Sequence, residues 1–375
     1  MSDYQIAVIV GRFQPLHNLH KKLIDKGLSI AEKVIIVLGS DKKAPDIRNP
    51  FSAAEREKMI RGCFTLSENK RLVFSPVRDH LYNDNLWIAE IQNIVRNAQE
   101  ELLEKEPEFT EVLHSGKLIE KKVALVGHFK DSTSYYLNFF PQWTFESFYV
   151  QGKDAIELNS QDIRKLYLTY KVSNSEPRLV KWGRIAELVP KSVENFLNEF
   201  LNTPIYTELE REFEYIEKYK EDTKPKGCTF LPVFVTTDCI VECMGHVLVI
   251  RRGSNPGKGL IAFPGGFLQP ELTLLNNAIK ELKEETQIRV NAEELKKLAL
   301  GKDKVFDHPN RSLRGRTITH AFHIVLPHSL KDGLPIVKGG DDASKAFWMP
   351  ISSITDYEEQ FFEDHINIAR TMLKI

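Results

Sequence analysis

Two sets of side chains in this chain carry the means for phosphate chemistry. Near the start, "GRFQPLHNLH" (11–20) sets His17 and His20 three residues apart, just after the apolar run Ile6–Val10. In a first helical turn such residues share a face. Each imidazole can donate a hydrogen bond to a phosphoryl oxygen, and Arg12 and Lys21 add positive charge nearby. Direct nucleotidyl transfer needs little more than two positioned reactants and stabilised charge on the α-phosphate. In the last third, "GGFLQPELTLLNNAIKELKEETQI" (265–288) places Glu281, Glu284 and Glu285 at i, i+3 and i+4. Like charges so spaced on a helix cost a few tenths of a kcal/mol per pair, roughly. A divalent cation removes that cost. Mg2+ favours such oxygen ligands and keeps waters and substrate phosphates as well. Beside a diphosphate it stabilises developing charge and activates water. Taken alone, the histidines also read as half-buried ring pairs or as a metal pair lacking a third ligand. The glutamates also read as a solvated face with Lys280 and Lys283 interleaved. The full strings around them favour the chemical readings.

The elements that must position these groups follow from periodicity. "QIAVIVG", "KVIIVLGS" (33–40), "RLVFSPV" (71–77) and "KKVALVGHF" (121–129) are strand-like apolar runs. Between them lie helical patterns at 18–32, at "SAAEREKMIRGCF" (52–64) with a serine cap and Glu55 at the capping-box position, and at "NDNLWIAEIQNIVRNAQEELL". This βαβ alternation predicts an α/β fold with an open, mostly parallel sheet. A strand that enters a helix through a glycine suits phosphate, because the helix N-terminus offers free N–H groups and partial positive charge. Here the glycine is expected to permit the turn and the proline to help start the helix. "NSQDIRKLY" (159–167) opens a further helix, and 189–222 is helical and increasingly charged.

After the Pro/Gly break "TKPKG" (223–227) the texture changes to α+β. Strands are expected in "FLPVFVTTDCIVE", "HVLVIRRG" and "TITHAFHIVL". One strong helix carries Leu274, Leu275, Ala278, Ile279 and Leu282 on a single face, and a final helix is expected near 357–372. The expected division is residues 1–200 as a first domain, 201–226 as a helical linker and 227–375 as a second domain.

The bounds are ordinary. The 375 residues suit two domains, and 42% hydrophobic with 27% charged residues describes a chain that buries a core. A formal net charge of −1 gives no reason to expect nucleic acid or an acidic membrane as partner. The four cysteines lack paired metal spacing and read as reduced, cytoplasmic thiols. "MSDYQIAVIV" has no basic region before its short apolar run, so no signal peptide is expected, and no stretch is long enough to span a membrane. The residues leave homo-oligomerisation open.

"GRFQPLHNLH" resembles the HxGH signature of the nucleotidyltransferase superfamily, and its "GRFQP" form is similar to NMN adenylyltransferases of the archaeal type. Leu19 stands where that signature has glycine. The family's second signature, ISSTxxR, matches "LNSQDIR" at Ser160 and Arg164, with Gln161 in place of threonine. The resemblance implies a Rossmann-like domain binding ATP and NMN. It implies that Gly11, Arg12, Phe13 and Gln14 line the substrate site, and that Ser160 with its helix N-terminus holds the ATP phosphates. Arg164 would neutralise β/γ charge, and Arg48 of "IRNPFSAAER" would lie near phosphate. In "RDHLYNDNLW", Trp87 would stack on nicotinamide, a contact worth about 1–2 kcal/mol when desolvated, with Asn83 or Asp84 near the amide. On spacing alone Trp87 reads almost equally as a core aromatic. Lys130 and Asp131, just beyond a strand, would meet adenosine or the NMN phosphate.

The second string resembles the Nudix box, Gx5Ex7REUxEExGU. The early glutamate of the box falls at Leu272, the arginine at Lys280 and the late glycine at Gln287. "VIRRGSNPGKGLIAFPGGF" and "RGRTITHAF" resemble ADP-ribose pyrophosphatases, particularly those fused to an NMN adenylyltransferase. The resemblance implies Mg2+ or Mn2+ on Glu281, Glu284 and Glu285, with Arg251, Arg252, Gly265 and Gly266 around ADP-ribose. Asp341 and Asp342 would cap a turn or approach the metal. Two alternatives stay open: a weakened or purely sensing Nudix domain, and a different acceptor in the first domain, such as nicotinate mononucleotide or a phosphopantetheine- or flavin-type substrate.

Overall fold

The computed structural model describes residues 2–103, 122–128, 132–148, 159–170, 177–224, 232–327 and 333–375. By contact the chain divides into two compact units, Met1–Asp41 with Ile47–Glu210, and Lys42–Asp46 with Arg211–Ile375. The division falls inside the helix Pro204–Asp222.

The first unit runs β1 (Tyr4–Gly11), α1 (Asn18–Ile30), β2 (Ala31–Asp41), α2 (Ala53–Arg61), α3 (Leu66–Asn69), β3 (Leu72–Arg78), α4 (Asp84–Leu103), β4 (Val123–Gly127) and β5 (Thr144–Ser147). The strand order is β3-β2-β1-β4-β5, and each pairing is parallel. A central parallel strand is covered on both faces, and accordingly Ile6, Ala7, Val8 and Ile9 are all buried. The order reverses at β1: the chain builds outward through β2 and β3, then returns to add β4 on the other side. Ligands of open α/β sheets bind at the carboxyl ends of the strands at such a reversal. The turn carrying His17 and His20 leaves β1 at that point. Helix α2 begins with the expected capping box, Ser52 and Glu55 each satisfying the other's backbone N–H.

Among the described residues four helices follow: α5 (Ser160–Leu168), α6 (Arg178–Leu188), α7 (Lys191–Phe200) and α8 (Pro204–Asp222). The helical stretch 189–222 is therefore two helices. Residues 201–203 turn between them, and Pro204 opens α8 where its missing N–H costs nothing.

The second unit contains β6 (Val233–Cys243), β7 (His246–Arg252), β8 (Ile261–Ala262), β9 (Gly265–Phe267), α9 (Leu274–Thr286), α10 (Ala292–Ala299), β10 (Asp303–Phe306), β11 (Arg316–Val325), β12 (Ala343–Pro350) and α11 (His365–Leu373). Its mixed sheet has the order β10-β11-β6-β7-β12, with β8 on β7 and β9 on β6. Met244 and Gly245 both have positive φ and close the β6–β7 hairpin in two residues, as a type I′ turn requires. Ala278, Ile279 and Leu282 of α9 bury against Cys239 and Val241 of β6, so the apolar face read from spacing is the core face. The final helix departs from expectation. Residues 351–360 form 3-10 turns, Phe361 leaves the helical region, and α11 starts afresh at His365. The break lets Phe361 and Phe362 bury and Asp364 pair inside the unit. Among the described residues no helix is long and apolar enough to cross a membrane.

Candidate active sites

His17 is the N-cap of α1, and its Nδ1 accepts a hydrogen bond from the His20 N–H at 3.3 Å. A neutral imidazole accepting at Nδ1 carries its proton at Nε2. The two rings stack, with centroids 3.6 Å apart and planes 13° apart. Burial, aided by neighbouring His17, holds His20 well below the ordinary histidine range. Its buried Nδ1 has no hydrogen-bond partner in the structure. The pair therefore offers neutral N–H donors, and fixed charge must come from elsewhere.

The turn before α1 is shaped differently from the sequence expectation. The left-handed residue is Phe13, with φ 51°, while Pro15 follows a cis bond and precedes the N-cap by two positions. The proline thus belongs to the turn and not to the helix start. Gly11 is needed for space: a Cβ there would come within 3.0 Å of the Phe13 ring, which folds back over it. Phe13 also packs edge-on to His20 at 4.9 Å. Gln14 is buried, donating from Nε2 to the Phe51 carbonyl at 2.8 Å and accepting the Phe51 N–H at 3.0 Å. Its side chain braces the turn against the segment before α2.

Helix α5 closes on the same turn. Ser160 donates from Oγ to the Pro15 carbonyl at 3.1 Å, and Arg164 donates from Nη1 to the Gln14 carbonyl at 2.6 Å. Asn159 caps this helix by accepting the Asp162 N–H. The two signatures thus meet at one turn. Arg12 is exposed beside it, while Lys21 is paired with Asp25 at 2.9 Å. Arg48 is half-buried. Trp87 is half-buried on an aromatic group, 6.1 Å from Tyr136 and 6.0 Å from Phe140. Lys130 and Asp131 lie outside the described residues.

In the second unit, α9 presents its carboxylates to β9. Glu285 is buried and accepts the Gly265 N–H at Oε2, 2.9 Å away. Burial pushes its carboxyl up to about 8; the Gly265 N–H and Arg252 oppose the rise, and Glu281 adds to it. Glu281 lies against Gly266, where a Cβ would sit 2.7 Å from Oε2. Burial raises it too, with Glu284, Asp341 and Asp342 adding to the effect. Glu284 turns instead to an ion pair with Lys280. Among the described residues no three metal-capable side chains converge as a ligand set. Glu281 and Glu285, two under-compensated hard oxygen donors facing one strand, still fit a divalent cation.

The loop carrying Asp341 and Asp342 is fixed to the end of α9. The Lys338 N–H donates to the Thr286 carbonyl at 2.9 Å, and the Gly340 N–H to that of Glu285 at 3.1 Å. Gln287, standing where the Nudix pattern has glycine, takes the left-handed C-cap with φ 48°. Neighbours on β7, Arg251 and Arg252 make different contacts. Arg251 donates to the Gly259 carbonyl and to Gln360, whereas Arg252 donates to the Pro256 carbonyl and stacks 4.2 Å from the Phe362 ring centroid.

Comparison with known proteins adds to this geometry. The cytidylyltransferase-like family matches residues 8–172, and the NUDIX domain family matches residues 234–371. A nicotinamide/nicotinic acid mononucleotide adenylyltransferase of Acinetobacter baylyi is 32% identical over 57% of this chain and 95% of its own length. An ADP-ribose pyrophosphatase of Methanocaldococcus jannaschii is 33% identical over 36% of this chain and 72% of its own. The crystal structure of a bifunctional NMN adenylyltransferase/ADP-ribose pyrophosphatase from Francisella tularensis, complexed with AMP and a manganese ion, covers 99% of both chains at TM-score 0.80 and 31% identity. The chain belongs to this bifunctional NMN adenylyltransferase/Nudix hydrolase family.

Several residues that build the sites in this family member are absent from the sequence reading. Arg56, buried in α2, donates from Nη1 to the carbonyls of Arg12 at 2.9 Å and Gly39 at 2.6 Å, tying the ends of β1 and β2 together. Asp238 is buried beneath Gly265, which has no room for a Cβ: one would lie 2.5 Å from Asp238 Oδ1. Burial pushes its carboxyl up to about 6, against Arg311 and the Thr319 hydroxyl. The available signal was a charged residue inside the apolar strand "VFVTTDCIVE". Arg56 gave no comparable signal, because an arginine on an amphipathic helix reads as exposed.

Proposed function

We propose that this chain joins ATP and NMN to give NAD and pyrophosphate, and that its second unit hydrolyses ADP-ribose to AMP and ribose 5-phosphate. The observation that carries the reading is the presence of both phosphate-handling constellations in one chain. The match to the Francisella protein, which covers 99% of both chains, supports it.

In the first reaction an NMN phosphate oxygen attacks the α-phosphorus of ATP. The bond from that phosphorus to the α,β-bridging oxygen breaks, and pyrophosphate leaves. His17 Nε2–H and the His20 imidazole donate to the α-phosphate, whose equatorial oxygens gain charge in the transition state. The guanidinium of Arg164 and the N-terminus of α5 oppose the charge of the departing phosphates. No side chain need act as nucleophile.

In the second reaction water cleaves the diphosphate of ADP-ribose. Glu281 and Glu285 are the residues to hold Mg2+ or Mn2+, with Glu284 available by release from Lys280. A cation so held neutralises diphosphate charge and lowers the pKa of a water molecule. The chain's own part is to keep two carboxylates desolvated against the Gly265–Gly266 backbone, so that their charge is best compensated by a cation. The site belongs to a cytoplasmic enzyme of NAD metabolism.

The test is to supply ATP with NMN, nicotinate mononucleotide or 4′-phosphopantetheine, and separately ADP-ribose, each with Mg2+, Mn2+ or a chelator. NAD formation preferred from NMN, and AMP release dependent on the cation, are expected. Binding of ADP-ribose without AMP release would reduce the second unit to a sensor.

A further inference from the structure

Arg311 and Arg314 lie three residues apart on the segment before β11 and are held very differently. Arg311 makes a two-pronged pair with Asp364, Nε to Oδ2 at 3.0 Å and Nη2 to Oδ1 at 2.9 Å, fully inside the unit. Its charge is spent on the fold. The side chain of Arg314 is only 13% exposed, yet its ion pair with Glu363 is long, at 3.9 Å. Glu363 is already engaged through Oε1 with the Ser312 hydroxyl and the Leu313 N–H. The Arg314 Nε is buried and has no hydrogen-bond partner. A desolvated guanidinium donor left unmade costs free energy, and a charged acceptor recovers it.

The position of this group gives it a use. The Arg314 guanidinium lies 4.9 Å from the ring centroid of Phe267, the residue following Gly265–Gly266, and 5.9 Å from that of Phe362. Arg252 stacks on the same Phe362 ring at 4.2 Å. Two guanidinium groups thus share one aromatic side chain, and Phe267 under Arg314 belongs to β9, the strand whose Gly265 and Gly266 lie against Glu285 and Glu281 of α9. Like charges brought together without a full counter-charge are favoured when an anion bridges them.

We propose that Arg314 is a substrate-binding residue of the Nudix site, forming with Arg252 a clamp for the diphosphate of ADP-ribose. The inference rests on the reading of this site as an ADP-ribose hydrolase. It assigns the anion contact to a residue outside the Nudix box, with its planar fork held by Phe267.

Calorimetry on the full chain with α,β-methylene ADP-ribose, which water does not cleave, tests it. Arg314→Gln is expected to weaken that binding by about 10- to 100-fold, the range for losing a charge-assisted hydrogen bond. In hydrolysis the loss is expected mainly in KM, with NAD synthesis and the unfolding midpoint unchanged. Arg314→Lys, which keeps the charge, is expected to bind the analogue more tightly than Arg314→Gln. Affinity of Arg314→Gln within twofold of the parent overturns the clamp while leaving the hydrolase reading intact. So does equal affinity of the two variants. A parent chain that neither binds the analogue nor releases AMP from ADP-ribose overturns both.

Discussion

Arg164 Nη1 donates to the main-chain carbonyl of Gln14 at 2.6 Å, across 150 positions of sequence. Gln14 in turn is bonded in both directions to the backbone of Phe51. Three distant segments are thereby locked around the turn that presents His17 and His20. An arginine in this place has two tasks: one nitrogen fixes the turn, and in the proposed reaction its charge opposes that of the departing phosphates.

Replacing the fork by a point charge separates these tasks. Arg164→Lys is expected to reduce NAD synthesis at least about tenfold, since a lysine cannot brace the carbonyl and serve phosphate together. AMP release from ADP-ribose should stay within twofold. A coupled assay of both products on one preparation decides it, and full NAD synthesis in the variant would remove Arg164 from the site.

His17 has a structural and a chemical role that can be told apart. His17→Ala removes the α1 cap and should cost about 1 kcal/mol of stability as well as activity. Asparagine is a good cap, so His17→Asn should fold with nearly parental stability. It should still lose adenylyl transfer by about 10²- to 10³-fold, as expected for a missing transition-state donor. Urea unfolding beside steady-state rates measures both.

Glu285 makes the second unit pH-sensitive when no cation is bound. Its carboxyl is raised from the usual range to about 8, chiefly by burial. The folded form therefore keeps a proton that the unfolded chain has released, so stability falls as pH rises from about 4.5 to 8. Glu285→Gln lacks this slope. At pH 8 without metal it should be more stable than the parent by about 1–3 kcal/mol, a discounted conversion of the shift. Mg2+ should stabilise the parent and not the variant, and hydrolysis should be lost only in the variant. Parallel pH–stability curves for the two proteins would exclude this account.

Gln287 occupies a left-handed position at the end of α9. A side chain there costs about 1–2 kcal/mol, against roughly 0.5–1 kcal/mol of unfolded-chain entropy for glycine. Gln287→Gly should therefore stabilise the second unit by about 0.5–1 kcal/mol without lowering hydrolysis. Thermal unfolding of the variant beside the parent checks the sign.

Much of the fold was legible. Continuous apolar runs such as Ile6–Ile9 read as strands and are buried as such, and the face of Ala278, Ile279 and Leu282 reads as a helix stripe and lies in the core. Some local geometry was not. The turn at 11–16 reads as a glycine turn, yet its left-handed residue is Phe13, because packing of that ring over Gly11 and against His20 outweighs a local preference. The last helix reads as continuous, yet it breaks at 361–364 to bury two phenylalanines and an aspartate.

The sequence by itself determined which groups could do chemistry: two imidazoles at helical spacing after the first strand, and three glutamates on one turn of a later helix. Those are local facts, set by the 3.6-residue pitch and the alternation of strands and helices. Only the tertiary structure decided which of these groups are desolvated, which are already spent on ion pairs, and which distant side chains brace them. Glu284 is neutralised by Lys280 while Glu285 is not, and Arg311 is locked while Arg314 is left with a buried donor. Burial and long-range hydrogen bonding depend on contacts between residues far apart in sequence, and no local pattern encodes them.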